Sequence, residues 1–409
     1  MTDGWVADGY GTVADIFDAD VARLGDGGGA FAAYVGGQPV VDLWGGHARP
    51  GVAWDKDTLS VIMSSTKGLC TMSAQVLFDR GLLDVDAPVA KYWPEFDQEG
   101  KGAILVRHVL THTSGLLGFG SQVPPVGWDG SGWSDYDAIA AALAAAPAWW
   151  PAGTRFGYHA TTYGWLVGEL VRRIDGRTVG QFFHDEVAVP LGLDIWIGTP
   201  ASEHDRVSTL VDHMSDGLPG PLRLLFGTVS KKMRDPGTLA GQAFIASGGT
   251  CLMDQGETLL NGRRALTAEL PFGNGTATAR SLARTYALLA LGGELDGTRL
   301  VSADTVRRFQ VQQISMPDQI MMQVAPLGTR WLMKQPVRRS LGYLLNPYMR
   351  GEKPRFGPNP NSYGHDGAGG QLAFCDPDRR ISFGFIRSDL SSSSVFSRKL
   401  IDAVYAAAA

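Results

Sequence analysis

The chain has 409 residues, 36 basic and 41 acidic side chains for a net charge of −5, and 44% hydrophobic residues, a composition suited to a globular protein with a large core. No basic run marks a nucleic-acid interface, and no apolar stretch approaches a membrane span, so neither partner is expected. The start Met1-Thr2-Asp3-Gly4-Trp5 shows neither a basic start nor an apolar run, so no secretory signal is expected from it. Three widely spaced cysteines, Cys70, Cys251 and Cys375, read as free thiols in a reducing compartment, and a cytoplasmic location is expected. The oligomeric state is not legible.

Val13 to Leu24 carries Val13, Ile16, Phe17, Val21 and Leu24 on one stripe and predicts a helix. Gly29 to Val35 and Pro39 to Trp44 then predict two strands around Gly36-Gly37, a hairpin. The apolar run Leu59 to Met63 predicts an extended segment that leads into a helix over Leu69 to Leu83. A helix-rich middle follows. Val106 to Thr111, Asp137 to Ala146, Thr161 to Ile174, Thr278 to Leu291 and Ser302 to Phe309 read as helices, and Thr178 to Gln181 matches a capping box. Gly120 to Trp133 reads as a loop, and Ala201 to Leu239 has no assignable periodicity. Strand edges at Gly342 to Leu345 and Ser362 to His365 precede two strands, Gln371 to Cys375 and Ile381 to Arg387, and a last helix over Val395 to Ala408. The economical architecture is α/β (α+β): one antiparallel sheet built from both chain ends and flanked by helices. The expected domains are 1–85 with 310–409 for the sheet, and 86–309 for an inserted, mainly helical lobe.

Three patches are candidates to meet at the seam between those lobes. In Ser64-Ser65-Thr66-Lys67-Gly68, Ser64 and Lys67 are three apart and share a helix face. A hydroxyl at a helix start with an amine one turn along suits an activated nucleophile; the bland alternative is an N-cap serine and a solvated lysine. The second patch is Tyr158-His159-Ala160, after the turn Pro151 to Gly157. The third is His365-Asp366-Gly367, followed by Ala368-Gly369-Gly370. His108 and His112 have the i, i+4 spacing of zinc helices without a Glu between them or a third ligand, so no metal and no cofactor are expected. Trp128, Trp133, Trp149 and Trp150 either line an acyl pocket or cap the helical lobe. No Gly-x-Ser-x-Gly elbow is present.

These patches, with Val40 to Gly46, His108 to Leu116, Pro151 to Glu169 and Gly364 to Gly370, resemble the serine β-lactamase/penicillin-binding-protein superfamily over nearly the whole chain. Within it the chain looks most like class C β-lactamases and family VIII carboxylesterases. The resemblance implies a β-lactamase-like fold. It implies Ser64 as the acylated nucleophile, Lys67 as its hydrogen-bonded partner, and Tyr158 as a base, either as phenolate or by sharing a proton with Lys67. The backbone N–H groups of Ser64 and Ala368, the latter on the strand after His365-Asp366-Gly367, would form the oxyanion site. Two departures from class C β-lactamases stand out: Ala160 where they carry Asn, and His365-Asp366-Gly367 where they carry Lys-Thr-Gly. Loss of the amide and the fixed cation favours an uncharged acyl substrate. The expectation is therefore a serine carboxylesterase for short-chain or bulky small-molecule esters. The alternatives on the same site are a β-lactamase or D-Ala-peptidase-like amide hydrolase, an acyltransferase, or a non-catalytic binding module.

Overall fold

The computed structural model describes residues 2–120, 126, 131–213, 227–228, 231–232, 235, 237–247, 250–251, 259–325, 334–346, 354–391 and 395–409, with backbone only at 244–247, 250, 251 and 259. Much of the unassigned 201–239 stretch, Trp128 and the Cys251 side chain lie outside the described residues. Its central sheet is built where the two chain ends meet. Strand β1 is Thr2–Val6, β2 Gly28–Val35 and β3 Gln38–Arg49; β4 is Ile314–Pro317, β5 Pro336–Arg339, β6 Leu344–Leu345, β7 Tyr363–Asp366, β8 Leu372–Asp376 and β9 Ile381–Arg387. Their order is β1-β3-β2-β9-β8-β7-β6-β5-β4, and every neighbouring pair is antiparallel. The join is β2 with β9, in register from Val35 opposite Ile381 to Gly29 opposite Arg387.

The expected hairpin forms with Gly36 and Gly37 at φ of +59° and +86°, the left-handed pair that a two-residue turn between twisted strands requires. The edge strands β1 and β4, and β5 beside the latter, were not expected from the sequence. They are short, and their pairing is set by distant neighbours rather than by local pattern. Among the helices, α1 is Gly11–Val21, α2 Thr66–Asp79, α3 Thr162–Asp175, α4 Ala279–Ala290, α5 Gln319–Val324 and α6 Val395–Ala407. The capping box is real: Thr178 Oγ1 accepts from Gln181 N at 3.2 Å, and Gln181 Oε1 accepts from Thr178 N at 3.3 Å.

Period-2 alternation divides the sheet between two cores. Phe31, Ala33, Phe383 and Phe385 face Val13 and Phe17 of α1 and Phe396, Leu400 and Val404 of α6. Ala30, Ala32 and Ile386 face the opposite way, into a larger core with Leu282, Ala283 and Tyr286 of α4. Helix α4 lies close on the sheet because its partners are small. Ser382 Oγ donates to the Ala283 carbonyl at 2.7 Å. At Gly384 an added Cβ would lie 2.8 Å from the Ala283 nitrogen and closer still to the Ala279 carbonyl oxygen. Among the described residues no helix is long and apolar enough to cross a membrane.

Gly384 therefore tests the sheet–helix spacing. Gly384→Ala is expected to destabilise the chain by about 1–3 kcal/mol through overpacking against helix backbone. Urea unfolding measures it, and a neutral result contradicts the close approach.

Candidate active site

A second, three-stranded sheet delivers Ser64. Ser60–Val61 pairs with Thr276–Ala277, which also pairs with Ile195–Trp196. The chain then reverses sharply at Met63, held at φ +50°, a left-handed conformation costing a β-carbon-bearing residue about 1–2 kcal/mol. The turn is bound on each side: Ile62 N donates to Gly275 O at 2.8 Å, Ser65 N to Ile62 O at 3.1 Å, and Thr66 Oγ1 to Met63 O at 2.7 Å. Ser64 sits in the 3₁₀ turn Met63–Ser65 that runs straight into α2. Its side chain is not an N-cap; it meets Lys67 instead.

Lys67 is fully buried on α2, not solvated. Its Nζ donates to the Phe272 carbonyl at 2.7 Å and to Ser64 Oγ at 3.2 Å. Burial holds its pKa well below the ordinary lysine value, the Arg339 guanidinium lowers it further, and Cys70 opposes both. The same Nζ lies 5.1 Å from the centre of the Tyr158 ring, and the Tyr158 hydroxyl shares a hydrogen bond with Ser64. Burial pushes the phenol above its ordinary value, against the pull of Arg339 and of the Ser64 bond. Tyr158 therefore keeps its proton at neutral pH.

Tyr158 lies on a segment tied down from two sides. On one, Gly153 N donates to Thr113 O at 3.0 Å, Gly157 N to His112 O at 3.2 Å and His159 N to His112 Nδ1 at 3.0 Å. The His159 ring spans Gly157 O at 2.6 Å and Ser114 Oγ at 2.8 Å; burial brings its pKa down to about 4. On the other side Gln319 N donates to Phe156 O at 3.0 Å. Asp318 caps α5 by accepting from Ile320 N at 2.8 Å and is pushed up by burial to about 6. His108 Nδ1 accepts from Leu105 N at 3.1 Å. Both histidines of the zinc-like pair thus serve the backbone, and no metal-holding group of His, Cys, Asp or Glu occurs among the described residues.

The third motif lies on β7. Ser65 Oγ donates to the His365 carbonyl at 3.2 Å, tying the strand to the Ser64 turn. The His365 side chain is buried, with Nδ1 2.7 Å from the Asp366 carbonyl. That contact makes Nδ1 the donor and leaves Nε2 as a lone pair without a partner. Burial, then Arg339 and Lys67, holds this histidine well below its ordinary value, so it is neutral at pH 7. Asp366 pairs with Arg355. A Cβ on Gly367 would lie 3.0 Å from that of Met63, so only glycine lets this strand reach the Ser64 turn. Ala368 does not continue a strand. It opens the 3₁₀ turn Ala368–Gly370, with Gly369 and Gly370 at φ +84° and +105°, and this turn packs beside Met63–Ser65. The fold thus brings Ser64, Lys67, Tyr158 and His365 together, with Gly367 and Ala368 on the adjoining turn.

Of the tryptophans, Trp133 is in the main core, Trp149 is exposed, and Trp150 packs under the Tyr158 segment with Leu117 and Ile320. Sequence reasoning missed Asp318 and Arg339, and weighed His112 only against a metal site. His112 stacks on Tyr163 at 4.5 Å, Asp318 sits beneath Tyr158, and Arg339 lies over the Tyr158 and Phe156 rings at 5.4 and 5.8 Å. Asp318 had a local signal, an N-cap residue after Pro317; Arg339 had none.

The beta-lactamase family profile matches residues 13–406, and the chain belongs to that family as one of its hydrolases. It is 34% identical over 385 residues to a Mycobacterium tuberculosis protein named esterase/beta-lactamase LipL, covering 90% of this chain and 79% of that one. Two solved structures align over 100% of both chains at 32% identity: a penicillin-binding-protein homologue from Caulobacter crescentus, TM-score 0.81, and a family VIII carboxylesterase, TM-score 0.80.

The buried histidines make folding pH-sensitive. Between about pH 6.5 and 4 the unfolded chain takes a proton at His159 that the folded chain refuses, so stability falls as pH drops through that window. His112 and His365 act in the same direction; Asp318, raised to about 6, acts against them. The His159 share is about 2–3 kcal/mol by pH 4.5. His159→Gln is expected to lose that much less stability than wild type between pH 7 and 4.5 in urea melts. Parallel losses contradict it.

Proposed function

We propose that this chain is a serine carboxylesterase working through an acyl-enzyme on Ser64. The observation that carries the reading is a buried amine, Lys67 Nζ, 3.2 Å from a serine hydroxyl that also bonds the Tyr158 phenol. Ser64 Oγ attacks the ester carbonyl carbon, and its proton passes to the Lys67 amine. The oxyanion is met by the N–H groups of Ser64 and Ala368, on turns that Gly367 allows to touch. Collapse breaks the acyl–oxygen bond, and the proton moves from Lys67 through the Tyr158 hydroxyl to the leaving alcohol. Water then attacks the acyl carbon and yields its proton along the same path; the Ser64 Oγ–acyl bond breaks, Oγ takes that proton, and the acid is released. Of the two roles open to Tyr158, the shared proton is favoured over a standing phenolate, because burial raises the phenol and lowers the amine.

An ester substrate is supported by the neutral His365 at the third motif and by Ala160, which supplies no amide to hold an acylamino group. The esterase naming of the 34% identical relative points the same way. A second reading, β-lactam or peptide amide hydrolysis at the same serine, is favoured by the other half of that relative's name.

Turnover of p-nitrophenyl acetate and butyrate by wild type, with Ser64→Ala reduced by roughly 10⁴–10⁶-fold and Tyr158→Phe by about 10²–10⁴-fold, is the expected result. Undiminished activity in Ser64→Ala rejects the assignment. Nitrocefin is expected to be turned over far less efficiently than the esters; comparable kcat/KM values select the second reading.

A further inference from the structure

Arg339 is a buried cation with no ion pair among the described residues; Asp318 attracts it only at longer range. The residue is 3% exposed, Nε and Nη1 have no hydrogen-bond partner, and no carboxylate among the described residues pairs with it. Its contacts are the faces of Tyr158 and Phe156. Leaving such a charge unpaired costs a fold several kcal/mol, and α5 offers an acid, Asp318, that is spent on backbone N–H groups instead.

The position is informative. Arg339 on β5 is opposite Leu344 on β6, which is opposite Gly364 on β7, the neighbour of His365. The cation therefore stands two strands from the third motif, about 10 Å across the sheet, and reaches back over Tyr158. The third motif here carries a neutral histidine, and the site's fixed positive charge enters from a different strand.

We propose that Arg339 is the positioning residue that sets the protonation of the Ser64–Lys67–Tyr158 relay, disfavouring a proton on the amine and favouring its removal from the phenol. This rests on the esterase reading of that relay. The groups around it are Lys67 from α2, Tyr163 from α3, His112 before it, Tyr158 and His159 from the tied segment, Asp318 from the α5 cap, and His365 from β7 with the Asp366–Arg355 pair behind. The histidines are neutral, Asp318 titrates at about 6, and Arg355 is paired with Asp366, so Arg339 is the fixed cation that lies over the relay itself. A cation here makes a second cation at Lys67 less favourable and a phenolate at Tyr158 more favourable. Whichever of the two takes the serine proton, removing the charge demands a higher pH.

The test is the pH profile of kcat/KM for p-nitrophenyl butyrate, whose acid limb reports the free enzyme. Arg339→Gln is expected to move that limb up by about one pH unit, with a tenfold loss on the limb that disappears at alkaline pH. Arg339→Lys, which keeps the charge, is expected to stay near wild type. Arg339→Met is expected to melt at a higher temperature, since an unpaired buried charge is gone. An unmoved limb, or a loss equal at all pH values, overturns the proposal. So does a chain that folds only with Arg or Lys at 339, because the charge would then serve the fold. Ser64→Ala in the same assay separates the two ideas: activity without the serine defeats the esterase reading itself, whereas a dead Ser64→Ala beside an unmoved Arg339→Gln limb defeats only the role of Arg339.

Discussion

The site depends on an amine kept out of water. Lys67 has no solvent contact and two oxygen partners, the Phe272 carbonyl and the Ser64 hydroxyl. In water an amine at its ordinary value is protonated at neutral pH and accepts nothing. Burial penalises the ammonium form, and the carbonyl of Phe272 fixes Nζ so that its remaining valence points at the serine. A lysine free to snorkel would meet Ser64 only occasionally and as a cation. The rest of the fold can be understood as what holds that amine in place, dry and within 3.2 Å of one oxygen.

Three unrelated pieces of chain converge to do so, and each is fixed by backbone bonds rather than by its own propensity. The left-handed Met63 turns Ser64 toward Lys67 and is held by Gly275 and Ile62. The Tyr158 segment has little regular structure, so it is strapped to residues 112–113 and 319. The third motif reaches the serine turn because Gly367 has no side chain and because Ser65 bonds the His365 carbonyl. Rigid first contacts built this way lower the reorganisation needed when charge develops during acyl transfer.

Much of this was legible in the sequence because it is local. Ser64 and Lys67 sit one helical turn apart, the Gly36-Gly37 hairpin announces itself, and the two ends of the chain carry the alternating strands that form one sheet. The Ala368 turn has a local signal too: Gly369-Gly370 adopts positive φ and does not extend a strand easily. What was not legible is long-range. No pattern near Phe272 marks its carbonyl as the lysine's anchor, 205 residues away. Nothing in Pro336 to Arg339 says which arginine turns inward; Arg338 and Arg339 differ only in which face of β5 they occupy, and that follows from a register set by β4 and β6.

The placement of that arginine bears on how an acyl-transfer site can change its substrate without losing its chemistry. A cation on the third motif would do two things at once, since it could bind an anionic substrate group and also bias the relay behind it. Here the motif position holds a neutral imidazole with a free lone pair, which offers an acceptor where a cation would offer donors. The bias on the relay comes instead from β5, on the far side of the Tyr158 ring. Separating the two duties frees residue 365 to vary with the substrate while the electrostatics at Lys67 stay the same. The physical requirement is only that the guanidinium remain buried, because in water its field on the amine would be screened to little.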